Sequence, residues 1–115
     1  MPDRILKVNE LIKQELSKLL LTEFEFPQGS LVTITGVGTS RDMGYAKVWL
    51  SIFPASQAPV ILKIVYKRTA YLQALLNRKL TFKILPKIHF YLDDSEEKAS
   101  VIDSLLDNLK NKGYN

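Results

Sequence analysis

The sequence has no cysteine, which excludes disulfide bonds, thiolate catalysis and zinc sites built from cysteine. Its one histidine, His89, lies in an apolar segment and has no second histidine with which to share a metal, so we interpret it as a structural residue. No apolar run reaches the about 20 residues needed to cross a bilayer, and the charged N-terminus lacks the apolar segment of a signal peptide. These absences predict a cytoplasmic protein with no membrane partner, no metal and no other cofactor.

Acidic residues are absent from the whole segment between Met43 and Leu92, which nevertheless carries eight basic residues. The segment has a formal charge of +8, and the rest of the chain, with eight basic and twelve acidic residues, has a charge of −4. A surface with such segregated charge produces a field that attracts polyanions, and a nucleic acid is the natural partner. The basic residues of this segment are Lys47, Lys63, Lys67, Arg68, Arg78, Lys79, Lys83 and Lys87.

Length and composition predict one folded domain. A chain of 115 residues with 46% hydrophobic residues can bury one core. We assign residues 1–110 to this domain and residues 111–115 to a short tail, and we expect a monomer. Apolar residues spaced by three and four predict helices, and alternating ones predict strands. The predicted elements are a helix at 3–21, strands at 31–37 and 45–53, a helix at 60–80 kinked near Thr69, a strand at 87–92 and a helix at 95–109.

The second predicted strand has two chemically different faces. Ala46, Val48, Leu50 and Ile52 alternate with the more polar set of Tyr45, Lys47, Trp49 and Ser51. The polar turn before this strand predicts an antiparallel hairpin with the first strand. The second face could form an aromatic platform for single-stranded RNA. We favour the alternative that helices cover this face, because a three-stranded sheet needs a covered face.

The predicted helix at 60–80 places its charge opposite its apolar stripe. The stripe follows helical spacing and consists of Leu62, Val65, Thr69, Leu72, Leu76 and Leu80. Basic residues on the other side predict contacts with phosphate groups. Tyr71 lies on the same side, where it either stacks on a base or sugar or packs against the stem of a neighbouring side chain. A solvated helix face, with Arg78 and Lys79 complementing the helix dipole, is the alternative interpretation. The candidate RNA-binding residues are Lys63, Lys67, Arg68, Tyr71, Arg78, Lys79, Lys83 and Lys87.

Other motifs do not predict a chemical site. The glycines at 36, 38 and 44 lack the spacing of a phosphate-binding loop and join two strands, so we interpret them as turn residues. The acidic group at 93, 94, 96 and 97 lacks the calcium-loop pattern and suits the start of a helix. No nucleophile is accompanied by a base, so we predict neither an enzyme nor a small-molecule substrate.

The predicted order of elements, α-β-β-α-(kink)-α-β-α around a three-stranded mixed sheet covered by helices, resembles a type II KH domain. KH domains bind single-stranded nucleic acid, usually through a GxxG loop between two helices. This chain has no glycine from Tyr45 through Lys112, so that loop is absent. A generic KH domain that binds through this loop is therefore disfavoured.

Four stretches resemble the bacterial ribosome-binding factor A family, and together they span nearly the whole chain in the family's order. The first two lie in the first half of the chain, the third includes most of the last predicted strand, and the fourth follows that strand. They comprise Arg4 with residues 8–12 and 15–20, residues 32–37 with 40–43 and 46–51, residues 75–80 with 85–90, and residues 93–95 with 102–106.

The resemblance implies a non-catalytic, cytoplasmic factor that binds the immature small (30S) ribosomal subunit near its decoding region. It also implies a role in 16S rRNA processing and subunit maturation, and in cold adaptation. The family has an Ala-x-Gly kink between its central helices, and the matching positions here are Arg68, Thr69 and Ala70. The glycine is thus missing. The alternative function is that of a basic protein-interaction module that docks an acidic partner.

Overall fold

The computed structural model describes residues 2–81 and 85–94. Its elements are α1 (Pro2–Thr22), β1 (Leu31–Thr39), β2 (Tyr45–Phe53), a short 3-10 helix (Ala55–Gln57), α2 (Ala58–Lys67), α3 (Thr69–Lys79) and β3 (Lys87–Leu92). This order confirms the predicted elements in the described part of the chain. The predicted helix at 95–109, and with it the domain boundary at 110, lies outside the described residues.

The sheet has the order β1-β2-β3, with β2 in the centre. β1 pairs with β2 in antiparallel register, which confirms the predicted hairpin, and β3 pairs with β2 in parallel register. A parallel return requires a crossover connection. Here α2 and α3 form that crossover. The basic segment therefore includes the connection between the central strand β2 and the edge strand β3.

β1 continues two residues beyond its predicted end. Gly38 pairs with Lys47 and Thr39 pairs with Ala46. These two residues, which the glycine pattern assigned to the turn, therefore belong to the strand. The register shifts between Ile34 and Gly36, which is a β-bulge. The true turn is shorter than predicted, and its left-handed residue is Met43, with a φ of 62°.

The core lies between the helices and one face of the sheet. Val48 and Leu50 are fully buried and, at about 1.5–3 kcal/mol each, contribute strongly to folding. On α2 Ile61 is buried, one full turn before the buried Val65, whereas Leu62 of the predicted stripe is only half-buried. The buried side chains from the helices are Val8, Ile12, Leu16, Leu19, Leu20, Ala58, Ile61, Val65, Leu72 and Leu76.

The opposite face of the sheet is exposed, and here the prediction was wrong. Tyr45 and Trp49 retain 44% and 37% of their accessible surface, and Lys47 between them is also exposed. The three α-helices that the structure describes pack on the aliphatic face of β2, because the other face of the strand offers no aliphatic surface on which their apolar stripes could be buried.

No helix within residues 2–81 and 85–94 is long and apolar enough to span a membrane.

Two side-chain amides fasten helices to the sheet. Asn9 of α1 accepts hydrogen bonds at its Oδ1 from the backbone N–H and the hydroxyl of Thr39, at 2.9 and 2.5 Å. Gln73 of α3 accepts from the N–H of Ile88 at 2.8 Å and donates to the carbonyl of Pro86 at 3.2 Å. Gln73 thereby satisfies backbone groups at the outer edge of β3, as another strand would do.

Replacing Gln73 with leucine should leave the N–H of Ile88 unpaired beside α3. We expect the free energy of unfolding to fall by about 1–3 kcal/mol, the usual cost of an unsatisfied donor in a partly buried place. Urea denaturation followed by circular dichroism measures this change. Asn77→Ala is the control, because Asn77 is exposed and accepts a bond from the same amide at 3.1 Å. An equal loss in both variants would contradict the role given to Gln73.

Candidate nucleic-acid interface

The two central helices are separated by a single residue, Arg68. α2 ends at Lys67 and α3 begins at Thr69, and the backbone of Arg68 has φ −113° and ψ 15°. The Thr69 hydroxyl donates to the carbonyl of Val65 at 3.0 Å, so it bonds back to the preceding turn. This φ is open to any residue. The break therefore needs no glycine, and Ala70, which the sequence resemblance matches to a glycine, lies in the first turn of α3.

The side chain of Arg68 is bound within the protein. Its Nη1 donates to the backbone carbonyl of Glu23 at 2.7 Å. The guanidinium carbon lies 5.0 Å from the ring centroid of Phe24 and 4.4 Å from that of Tyr71. A guanidinium attracts the electron-rich face of aromatic rings. Arg68 thus joins the α1–β1 connection to the helix break, a role that sequence reasoning missed because Glu23 and Phe24 are remote in sequence.

Tyr71 belongs to the same cluster. Its hydroxyl donates to Oε1 of Glu23 at 2.8 Å. The residue is 42% exposed, and its ring faces the guanidinium of Arg68. The hydrogen bond to Glu23 raises the pKa of the Tyr71 phenol above its usual value, and partial desolvation adds to this effect. One side of the candidate stacking ring is therefore engaged by Arg68.

The remaining candidate cations lie in three places. Lys63 and Lys67 are exposed one turn apart on α2, and Arg78 and Lys79 are exposed in the last turn of α3. Lys87 is exposed at the start of β3, and Lys83 lies outside the described residues. Because the helix is interrupted at Arg68, the basic line expected on one continuous helix consists of two separate pairs. The helix faces opposite these pairs are the buried ones.

The C-terminal turns of both helices are basic. Lys67 is in the last turn of α2, and Arg78 and Lys79 are in that of α3, where cations interact favourably with the helix dipole. The alternative structural role is thus available to these residues. The charged ends of these side chains are nevertheless exposed, so they can also contact phosphate groups. The ion pair between Lys18 and Glu15, at 3.2 Å, lies on α1 and involves none of the candidates.

A second group of candidate functional side chains lies on the open face of the sheet. We name the aromatic face the set Tyr45, Lys47, Trp49, His89 and Tyr91. The rings of Trp49 and Tyr91 have centroids 5.1 Å apart. The ring of Tyr45 meets His89 edge-on at 6.2 Å. Sequence reasoning identified the three residues on β2 as a possible platform but missed His89 and Tyr91 on β3. The alternation of buried and exposed residues along β3 could have indicated them.

His89 is exposed rather than enclosed by its apolar neighbours in sequence, because Ile88 and Phe90 point to the opposite, buried face. Among residues 2–81 and 85–94, no group of three or more histidine, cysteine, aspartate or glutamate side chains is placed to hold a metal ion. The glycines at 36 and 38 belong to β1, so they do not form a phosphate loop.

A family model described as ribosome-binding factor A matches residues 4–106 of this chain. The ribosome-binding factor A of Coprothermobacter proteolyticus is 35% identical over 111 residues, which cover 96% of this chain and 81% of that protein. The corresponding protein of Thioalkalivibrio sulfidiphilus is 32% identical over 102 residues, covering 88% and 79% of the two chains.

Solved structures share the fold. The crystal structure of ribosome-binding factor A from Thermus thermophilus has a TM-score of 0.66 at 19% identity, covering 76% of this chain and 94% of that one. A homology model of the Thermus thermophilus factor, fitted into a cryo-electron-microscopy map of its complex with 30S, has a TM-score of 0.63 at 23% identity, covering 75% and 91%. These similarities confirm the predicted α+β, KH-like fold.

Arg68→Ala should detach the α1–β1 connection from the helix break. We expect the free energy of unfolding to fall by about 1–3 kcal/mol, from the lost charged hydrogen bond and ring contacts. Arg68→Lys should lose part of this, because an ammonium cannot reproduce the planar contacts. Urea denaturation measures both, and faster hydrogen exchange at residues 23–30 localises the effect. The control is Arg78→Ala, which removes an exposed charge at a helix end and should cost less than about 1 kcal/mol. Similar losses of stability in Arg68→Ala and Arg78→Ala would contradict the structural role given to Arg68.

The raised pKa of Tyr71 gives the cluster a pH dependence. Folding favours the protonated phenol, so its contribution to stability is complete below the ordinary tyrosine pKa of about 10. It is lost as the pH rises through the higher pKa of the folded state. We expect the stability difference between the natural protein and Tyr71→Phe to shrink above about pH 10, measured by urea denaturation at several pH values. A difference that stays constant over this range would show that the bond to Glu23 contributes nothing.

Proposed function

Because the chain belongs to the ribosome-binding factor A family, as its sequence resemblance predicts, we propose that it binds the immature small ribosomal subunit. In this proposal it contacts 16S rRNA, assists the processing and maturation of that RNA, and catalyses no reaction. The observation that carries the proposal is the basic surface of the crossover helices. In support, the Thermus thermophilus factor, whose fold is similar, has been fitted into the map of a 30S complex.

The crossover concentrates positive charge in a segment that has no acidic residue of its own, and the Glu23 carboxylate reaches it from the α1–β1 connection, at Tyr71. β2, α2, α3 and β3 all lie between Met43 and Leu92, a segment without an acidic residue. Lys63 and Lys67 are exposed on α2, and the two basic residues that end α3 are exposed as well. Each phosphate that such a side chain neutralises releases a counterion, which favours binding at low salt.

The proposed contacts divide by role. We propose that Lys63, Lys67, Arg78, Lys79, Lys83 and Lys87 contact phosphate groups. Arg68 and Tyr71 act mainly as positioning residues, since Arg68 is bonded to Glu23 and faces the ring of Tyr71. Their contacts fix the angle at which the two basic helices meet. The remaining edge of the Arg68 guanidinium can still reach a phosphate, because one guanidinium carries five donors.

The absence of glycine at the break favours recognition of structured RNA by charge and shape. A GxxG loop brings its backbone close to four nucleotides. Here the break consists of Arg68 alone, and the side chains of Arg68 and Thr69 are bonded within the protein. We therefore propose that the helix pair lies against folded rRNA as a rigid basic surface.

Reversing three charges on this surface should abolish binding. We expect Lys63→Glu, Lys67→Glu and Arg78→Glu together to remove co-sedimentation with purified immature small subunits at moderate salt, because each change replaces attraction to phosphate by repulsion. Circular dichroism and a thermal unfolding curve establish that the triple variant folds. The matched control reverses Arg4, Lys7 and Arg41, which are exposed outside the crossover, and so reaches the same net charge. Retained binding by the first variant, or equal loss in both, would overturn this interface.

Binding to protein-free 16S rRNA separates RNA recognition from docking on an acidic protein. We expect the natural protein to bind this RNA and to lose affinity with rising salt, with a slope that the crossover variant reduces. Binding to subunits without binding to the naked RNA would instead favour an acidic protein partner.

A further inference from the structure

We propose that the aromatic face is a second RNA-binding surface, which stacks the bases of a single-stranded segment. It lies on the sheet, on the side opposite the core, and is distinct from the phosphate contacts proposed for α2 and α3. The proposal rests on the exposure of the rings, their spacing, the open space beside them and the sign of the surrounding charge.

The rings are arranged in two adjacent rows and remain accessible. In the parallel register of β2 and β3, Trp49 lies opposite Tyr91 and Lys47 lies opposite His89. Trp49, Tyr91 and Tyr45 are 37%, 39% and 44% exposed. A partly buried ring fixed by its neighbours loses little conformational entropy on binding, and exposed aromatic faces stack on bases of any sequence.

The side of the face next to β1 is open because two glycines lie there. Gly36 is opposite Trp49 and Gly38 is opposite Lys47. A methyl group built at either glycine would have no atom within 4 Å. Larger residues at these positions would place side chains beside the indole. The glycines therefore leave space in which a base can approach Trp49 from the β1 side.

The charge on this face suits a nucleic acid better than an apolar peptide or lipid. Lys47 lies in the centre, with its Nζ 5.6 Å from the ring centroid of Tyr91, and Lys87 is exposed opposite Tyr45. β2 and β3 contain no acidic residue. Asp93, just after β3, accepts a hydrogen bond from the Thr35 hydroxyl at 2.5 Å. Asp94 follows it, and Asp42 lies in the turn just before Tyr45, where it accepts a hydrogen bond from the N–H of Gly44. The described acidic residues near the face therefore lie at its two ends, and phosphates are expected nearest to Lys47 in its centre.

The dimensions match a short single strand. Tyr45 and Trp49 are four residues apart on β2, which corresponds to about 13 Å. Sheets in RNA-recognition domains stack two or three bases on their aromatic residues. The aromatic face offers Trp49, Tyr91 and Tyr45 as three stacking positions, with Lys47 between them for the connecting phosphates.

The single tryptophan of the chain makes a direct test possible. Trp49 is the only residue of its kind, so a base stacked on it should quench the tryptophan fluorescence of the whole protein. We expect unlabelled octaadenylate RNA, titrated into the full-length protein at low salt, to quench this fluorescence in a saturable way. The quenching should weaken as salt is added, because single strands release counterions on binding.

Two variants test the face while keeping the reporter. Tyr91→Ala removes the ring that contacts Trp49, and we expect affinity for octaadenylate to fall about fivefold or more. Gly36→Val fills the open space beside the indole without removing any contact, and it should also weaken binding; because Gly36 has no positive φ, the strand can accept valine. Phe53→Ala is the control, since Phe53 is an exposed aromatic on the same strand beyond the pairing with β3, and it should bind as the natural protein does.

The outcomes separate this proposal from the proposed function. Saturable quenching that Tyr91→Ala and Gly36→Val weaken supports the aromatic face. Binding of the RNA without quenching, or with equal affinity in all variants, overturns it and leaves the basic helices as the RNA surface. Failure of octaadenylate to bind also overturns it. None of these results alters the charge-reversal test on α2 and α3.

Discussion

The alternation of apolar and polar residues along β2 is the constraint on which the other features of this protein depend. β2 is the central strand, so both neighbours take their register from it. Val48 and Leu50 point into the core, and Lys47 and Trp49 point away from it. A shift of one residue would exchange these sets. The same alternation therefore fixes which side the helices cover and which side remains accessible to a partner.

The parallel pairing of β3 with β2 gives the basic segment its place. A hairpin could not return the chain in parallel, so a crossover is needed, and the crossover has to present one apolar side to the sheet. Ile61, Val65, Leu72 and Leu76 occupy that side. The charged residues are consequently on the outside of the crossover. The separation of these charged residues from the apolar ones is thus a result of chain topology as much as of composition.

Arg68 sets the direction of the break between α2 and α3 without a glycine. A glycine makes a break between helices by removing steric restriction, but it fixes no direction. Here the backbone at the break adopts an ordinary negative φ, and the direction is set by the contacts of Arg68 with Glu23, Phe24 and Tyr71. Arg68, which was expected to contact RNA, thus also connects the α1–β1 connection to the crossover.

The order of the elements and most of the core could be predicted from the sequence, because both depend on local periodicity. The second strand and the third have the predicted bounds, as each is a short alternating run between turn residues. The end of β1 could not be predicted, since Gly38 is a strand residue only through its pairing with Lys47. The contacts of Arg68 were equally inaccessible, because they depend on the position of a distant connection.

The exposure of Trp49 is the most consequential difference between prediction and structure. From sequence, a ring on the less aliphatic face of a small sheet is most simply explained as covered by a helix. The described helices, however, have only one apolar stripe each, and the aliphatic face of β2 uses all of them. An indole that is exposed for this reason, beside Lys47 and two glycines, is available for stacking without any rearrangement of the core. The fold thus presents charge on its crossover and aromatic surface on its sheet, and a folded RNA with an adjoining single strand is a partner that could use both.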